Sequence, residues 1–295
     1  MMGQIRLQSS GALAEISVQG AEIRSWEVAG QPLLWKPDAK IWAETAPVLF
    51  PVVGWTRNGE VRVADKVYPL GLHGFARHKP FSVAQLTRDF VRLVLESDAQ
   101  TLALYPFDFR FTVDCRLDGP ALSVRLGVEN RGSEDMPYAC GLHPGFRWPL
   151  GAGTEVGAGR KSGHCILFDA VEEPRVHKIT SHGLFAADHR PVPLNGKVLD
   201  LTPELFAQEA LCFLGAKSQG LRYETPDGAA LRVEMTNFPH IALWSKPEAP
   251  FLAIELWTGH GDPDGFEGDL FAKPSMRFLP PGRSERHEAR FTFYS

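Results

Sequence analysis

Apolar and polar residues alternate along much of this chain, and that period-two pattern constrains the fold more than any other feature. Phe111-Thr112-Val113-Asp114-Cys115-Arg116-Leu117 puts four apolar side chains on one face and three polar ones on the other. Leu122 to Glu129 repeats the pattern. Successive strand side chains point to opposite faces, so each segment reads as a half-buried strand. Asp118-Gly119-Pro120 between them is a turn signal, and the pair reads as a hairpin. Leu231 to Thr236 follows a second turn, Pro226-Asp227-Gly228. Glu60-Val61-Arg62-Val63 and Lys66-Val67-Tyr68 flank Ala64-Asp65 as a further hairpin, and Ala289 to Phe293 alternates again. Helical pattern is scarce. Thr202-Pro203-Glu204-Leu205-Phe206-Ala207 is the best case, with Thr202 as N-cap and Pro203 at the first helical position. Many short strands with little helix predict an all-β, antiparallel sandwich or barrel.

The chain has 295 residues, and 44% are hydrophobic, which suffices for a sizeable core and excludes global disorder. No repeat, low-complexity tract or composition break marks a linker, so residues 1–295 are expected to form a single domain. The net charge of -4 argues against a nucleic-acid partner bound through a basic field. Four cysteines, Cys115, Cys140, Cys165 and Cys212, include no Cys-x-x-Cys pair, so neither a zinc site nor a disulfide framework is indicated. The start, Met1-Met2-Gly3-Gln4-Ile5-Arg6, lacks a signal-peptide stretch. Nothing approaches the roughly 18 apolar residues of a membrane span. A soluble, cytoplasmic protein is the expectation.

Glu255 stands out among the polar residues. It interrupts Phe251-Leu252-Ala253-Ile254-Glu255-Leu256-Trp257, a run otherwise apolar and expected to be a strand buried on both faces. Burying a carboxylate is costly, and desolvation raises its pKa toward that of a useful proton acceptor. A structural Glu paired with an Arg would also fit. Three further segments combine polar groups with turn residues. In Gly71-Leu72-His73-Gly74-Phe75-Ala76-Arg77-His78-Lys79, two glycines bracket His73 and allow a close approach, although a solvated basic turn reads the same way. In Cys140-Gly141-Leu142-His143-Pro144-Gly145-Phe146, Pro144 restricts His143 to an extended conformation, fit either for a cleft or for capping a chain end. Leu49 to Gly59 joins an apolar run to a polar turn carrying Arg57 and Asn58, where Arg57 could bind a sugar hydroxyl, pair with a carboxylate or simply face water. Two histidines and one buried carboxylate suggest acid–base chemistry without a metal. His73 and His78, five apart in a glycine-containing loop, do not match a zinc motif. A Gly-x-Ser-x-Gly elbow and a phosphate-binding loop are absent.

These segments, in this order, resemble the aldose 1-epimerase (galactose mutarotase-like) family, and in particular its lactose-operon-associated bacterial branch. Leu49 to Gly54, Leu72 to Arg77, Gly141 to Phe146, Glu204 to Phe206 with Ala210 to Phe213, Leu243 to Pro247 with Phe251 to Trp257, and Phe278 to Gly282 look like successive family blocks. The resemblance implies a large antiparallel β-sandwich and cofactor-independent interconversion of α and β anomers of an aldose. By position, Glu255 is similar to the catalytic base and His143 to the catalytic acid. His73 is similar to the second active-site His, beside the ring oxygen or a nearby hydroxyl, and Arg77 to the Arg that follows it. Arg57 is carried as a further substrate-binding candidate. The expected partner is a small sugar, with no nucleic acid or membrane, and the protein a monomer or homodimer.

The chain departs from the branch at Trp55, where an Arg is common. The Asp that binds sugar hydroxyls in better-known galactose mutarotases has no clear equivalent, and Asp188 and Asp262 are candidates by region. Two neighbouring functions share the fold. A hexose-6-phosphate mutarotase would need a cationic pocket, for which Arg77, His78 and Lys79 are available. A sugar sensor would bind without turnover. A glycoside hydrolase would ordinarily need two carboxylates across the scissile bond, and one compelling buried carboxylate is present.

Overall fold

The computed structural model describes residues 3–151, 161–247 and 249–295. Their architecture is an antiparallel β-sandwich. One sheet has nine strands in the order Val198–Asp200, Cys165–Phe168, Gly220–Glu224, Ala230–Thr236, Ser284–Tyr294, Ala121–Asn130, Phe109–Asp118, Phe90–Glu96 and Ser82–Leu86. The other has six. Leu211–Leu214, His240–Trp244, Phe251–Trp257, Gly141–Leu142 and Val48–Leu49 follow one another, and Gly145–Arg147 pairs with Phe251–Trp257 as well. A four-stranded sheet begins the chain, from Gln4–Ser9 to Gln31–Pro32. Among the described residues, no helix is long and apolar enough to cross a membrane.

The alternation predicts the nine-stranded sheet well. Phe109–Asp118 and Ala121–Asn130 form the expected hairpin, with Phe111 opposite Val128 and Leu117 opposite Leu122. Its two-residue loop opens with Gly119 at φ 55°, a conformation that glycine adopts without a steric penalty. Phe111, Val113, Cys115 and Leu117 are buried, as the pattern requires. Asp114 is buried too, against the pattern, because Arg92 on the neighbouring strand covers it with two hydrogen bonds of 2.8 and 2.7 Å. Glu60–Val63 and Lys66–Pro69 pair around Ala64-Asp65 as expected. The segment after Thr202 is a single 3-10 turn, Pro203–Phe206. Pro203 begins it as predicted, but the Thr202 side chain makes no capping bond, so the N-cap expectation fails in its hydrogen bond.

Aromatic pairs join the two large sheets. Phe50 stacks on Phe111 at 4.4 Å, Phe146 meets Phe291 at 5.5 Å, and Phe213 meets Phe168 at 5.0 Å. Truncating one such ring to alanine typically costs about 3–5 kcal/mol.

The strand Phe251–Trp257 lies inside the six-stranded sheet and is buried at all seven positions. Leu252, Ile254 and Leu256 point into the main core. Phe251 and Ala253, on the opposite face, pack in a smaller cluster with Trp35, Trp42 and Trp244. Glu255 is the next residue along that second face, where the aromatic cluster gives way to a cleft. Coverage of both faces is why the sequence reads as continuous apolar.

Candidate active site

Glu255 and His143 are set by the same strand ladder. Leu142 pairs with Leu256 and Gly145 with Ala253, so His143-Pro144 is a short break between two strands that both pair with the Glu255 strand. The break itself is tied down. Ile254 N–H donates to Pro144 O at 3.1 Å, and His143 N–H donates to Pro47 O at 3.2 Å. His143 Nε2 consequently lies 3.2 Å from Glu255 Oε2. Trp257 Nε1–H donates to the same oxygen at 3.0 Å. The imidazole is flanked by Trp42 at 5.0 Å and Trp244 at 5.7 Å between centroids. Gly145 makes room for the first, since a Cβ there would lie 2.5 Å from Trp42 Cζ3.

His73 reaches the same place from a different loop. Its backbone sits at φ 60°, an uncommon conformation for a residue with a side chain. The strain is held by hydrogen bonds to the segment after Leu49. His73 N–H donates to Gly54 O at 3.0 Å, and Gly54 N–H donates to His73 Nδ1 at 3.1 Å. Because Nδ1 accepts, the proton of the neutral ring is on Nε2, and the ring presents a donor. The His73 and His143 rings stand perpendicular, 5.6 Å apart.

Burial governs the protonation of all three groups. It raises the Glu255 carboxyl well above its ordinary value of 4.5, and the Trp257 hydrogen bond opposes this weakly. It lowers His143 to about 3, with the Arg77 charge adding to the effect. It lowers His73 as well, helped by His143 and Arg77. Burial thus favours the uncharged form of both Glu255 and His143. His143 Nδ1 is buried with no hydrogen-bond partner among the described residues.

Glu255, His143, His73 and Arg77 all line one open cleft of about 710 Å³. The Arg77 guanidinium pairs with Glu44 at 3.0 Å and donates to Leu72 O at 3.3 Å, while its Nε is buried with no partner among the described residues. The structure does not bring Arg57 to this cleft. The Arg57 guanidinium points outward to Glu267, 2.7 Å away. Asp262 and Asp188 do not line the cleft either. Asp262 is buried against Lys273, and Asp188 lies exposed, 3.5 Å from Lys178. Of the loop's other cations, Lys79 donates to Gln100 at 2.9 Å and His78 is not part of the lining.

Residues 3–262 match the family model for aldose 1-epimerase. The chain belongs to the aldose 1-epimerase family. It is 30% identical over 266 residues, 86% of this chain and 87% of the other, to the chromosomal protein LacX of Lactococcus lactis subsp. lactis. Its fold superposes on a galactose mutarotase related enzyme of Lactobacillus acidophilus with a TM-score of 0.90, at 28% identity, covering 99% and 98% of the two chains. A galactose mutarotase-like protein of Lactobacillus casei gives 0.91 at 26% identity, covering 99% and 100%.

Sequence reasoning left several lining residues unread. Trp42, Trp55, Trp244 and Trp257 all face the cleft, although any one Trp is first expected in the core. Lys246 lines it too, its ammonium donating to Ile41 O. Glu44, Glu209 and the loop of residues 180–183 carry no spacing or periodicity that would have marked them.

Proposed function

We propose that this protein is a mutarotase that interconverts the α and β anomers of an unphosphorylated monosaccharide. The observation that carries this reading is the 3.2 Å contact between a buried carboxylate and a buried imidazole in a cleft of sugar-binding size. Glu255 in its carboxylate form takes the proton from the anomeric hydroxyl. His143 in its imidazolium form gives a proton to the ring oxygen. The bond from C1 to the ring oxygen breaks, and C1 becomes an aldehyde. Rotation about C1–C2 offers the other carbonyl face. The liberated hydroxyl then attacks C1 and returns its proton to His143, while Glu255 reprotonates the anomeric oxygen. Each group ends as it began, so no proton is gained or lost.

Burial favours the uncharged form of both groups, so the charged pair that opens the ring is the less populated of the two arrangements of their shared proton. Ring opening leaves Glu255 protonated and His143 neutral, the distribution that burial favours at both groups. The dry environment thus stabilises the product of proton transfer more than the charged form that precedes it. His73 Nε2–H is available to a ring or hydroxyl oxygen. Of residues 77–79 only Arg77 lines the cleft, where Glu44 neutralises it, and the other lining cation, Lys246, donates to Ile41 O, which supports a neutral sugar over a phosphorylated one.

Polarimetry of freshly dissolved α-D-glucose and α-D-galactose tests the proposal. Wild-type protein accelerates the approach to anomeric equilibrium, and Glu255→Gln does not. Absence of acceleration with either sugar would refute the reading, and glucose 6-phosphate would then separate a phosphate-dependent mutarotase from a sugar binder.

A further inference from the structure

Asp262 is among the most connected polar residues of the fold, and the acid–base mechanism does not use it. Its carboxylate is buried, with one oxygen taken by the Lys273 ammonium and the other accepting from Arg57 N–H at 2.8 Å. Its backbone is engaged on both sides. Asp262 N–H donates to Trp55 O at 2.9 Å, and Phe185 N–H donates to Asp262 O at 2.9 Å. Phe185 O in turn accepts from Asp264 N–H at 2.8 Å. The residue therefore joins two segments distant in sequence, one carrying Trp55 and the other carrying residues 180–185.

Those two segments meet in the cleft wall. Trp55, His182, Gly183 and Phe185 all face the cleft. A Cβ on Gly183 would fall 1.9 Å from Trp55 Cδ1, so the indole lies directly on the glycine backbone. A Cβ on Gly54 would fall 2.6 Å from Gly261, so the Trp55 segment and the Asp262 segment touch backbone to backbone. Trp55 is 44% exposed, and it alone of the seven tryptophans ranks among the exposed large hydrophobics. An exposed indole fixed on a glycine is a rigid apolar surface at the cleft.

We propose that Asp262, charge-balanced by Lys273, is a positioning residue whose carboxylate, through Arg57 N–H, fixes the backbone that joins the Trp55 and 180–185 segments into one wall, and thereby sets sugar affinity without acting in proton transfer. The inference rests on the mutarotase reading for its kinetic arm and stands apart from it in its binding arm.

The test compares wild type with Asp262→Ala and with the double variant Asp262→Asn/Lys273→Met. The double variant keeps an acceptor for Arg57 N–H and removes the ammonium that would otherwise be left buried and unpaired. Three readouts are taken on folded protein: the galactose dissociation constant by calorimetry, acrylamide quenching of tryptophan fluorescence, and polarimetric kcat and KM. Asp262→Ala is expected to weaken galactose binding and raise KM about tenfold, change the quenching and leave kcat within about twofold. The double variant is expected to restore affinity to within about threefold of wild type. Wild-type affinity and quenching in Asp262→Ala, with only a lower melting temperature, would overturn the proposal in favour of a structural ion pair. A fall in kcat with unchanged KM would overturn it too. If wild type binds galactose but does not accelerate mutarotation, the functional reading fails while binding and quenching still decide the role of Asp262.

Discussion

Replacing Glu255 with glutamine should abolish turnover and, at the same time, make the protein more stable as pH rises. The structure gives the size of the effect. Glu255 is 2% exposed, and burial holds its carboxyl well above 4.5, so the folded protein keeps a proton that the unfolded chain has released. Wherever the folded state binds one more proton than the unfolded state, stability falls by about 1.4 kcal/mol per pH unit. A raised folded pKa means that the contribution is fully present below about pH 4.5 and is lost as pH rises through the folded value. His143 has the opposite sign. Its folded value of about 3 lies below the usual 6.5, so its contribution is present above 6.5 and lost as pH falls toward 3. In wild type the two slopes oppose each other from about pH 4.5 upward for as long as both groups differ in protonation between folded and unfolded chain. Glutamine removes only the Glu255 slope, and it keeps an oxygen for Trp257 Nε1 and an amide for His143 Nε2. The assay is urea unfolding of both proteins at several pH values from 4.5 upward, with equal m-values as the check on two-state behaviour. The stability of Glu255→Gln relative to wild type should rise by about 1.4 kcal/mol per pH unit and then level off at the folded pKa of Glu255. A difference that does not change with pH would mean that Glu255 ionises alike in folded and unfolded protein, and the burial argument would be wrong.

Three further outcomes are expected. His143→Ala should lower kcat by roughly a hundred- to ten-thousand-fold with the far-ultraviolet circular dichroism unchanged, the range for loss of one proton-transfer group. The profile of kcat/KM against pH should show no His143 titration near 6.5, where an ordinary histidine would titrate, because burial lowers His143 to about 3. Arg57→Ala should change KM less than twofold and stability by no more than about 0.5 kcal/mol, since its ion pair with Glu267 is exposed and lies outside the cleft.

Much of this molecule is legible from its residues, for identifiable reasons. Phe111 to Leu117 and Leu122 to Glu129 alternate because their sheet has one face in the core and the other toward water. Glu255 is conspicuous because its strand is covered on both faces and tolerates polar groups poorly. His73 and His143 are marked by the Gly and Pro that shape their backbones. Long-range pairings are less legible. Nothing local shows that Arg57 turns to Glu267, or that Lys273 consumes Asp262, because both depend on how distant loops meet. Trp42 carries no local mark of a cleft residue and Trp55 stands out only as a departure from the branch, and the packing of Gly145 and Gly183 against them reveals their places at the cleft. Thr202 makes no side-chain capping bond to the 3-10 turn it precedes, although Asp269 does cap a turn of the same kind.

The two strands that bracket His143 both pair with the strand that carries Glu255. The spacing of Glu255 and His143 is therefore written into one backbone ladder, whereas Trp55 and residues 180–183 reach the cleft from outside it. Descendants of this chain could trade one sugar for another by altering those outlying segments alone. Under the mutarotase reading the reaction would be inherited unchanged, and relatives with different substrates should differ at the cleft wall well before they differ in the distance between Glu255 and His143.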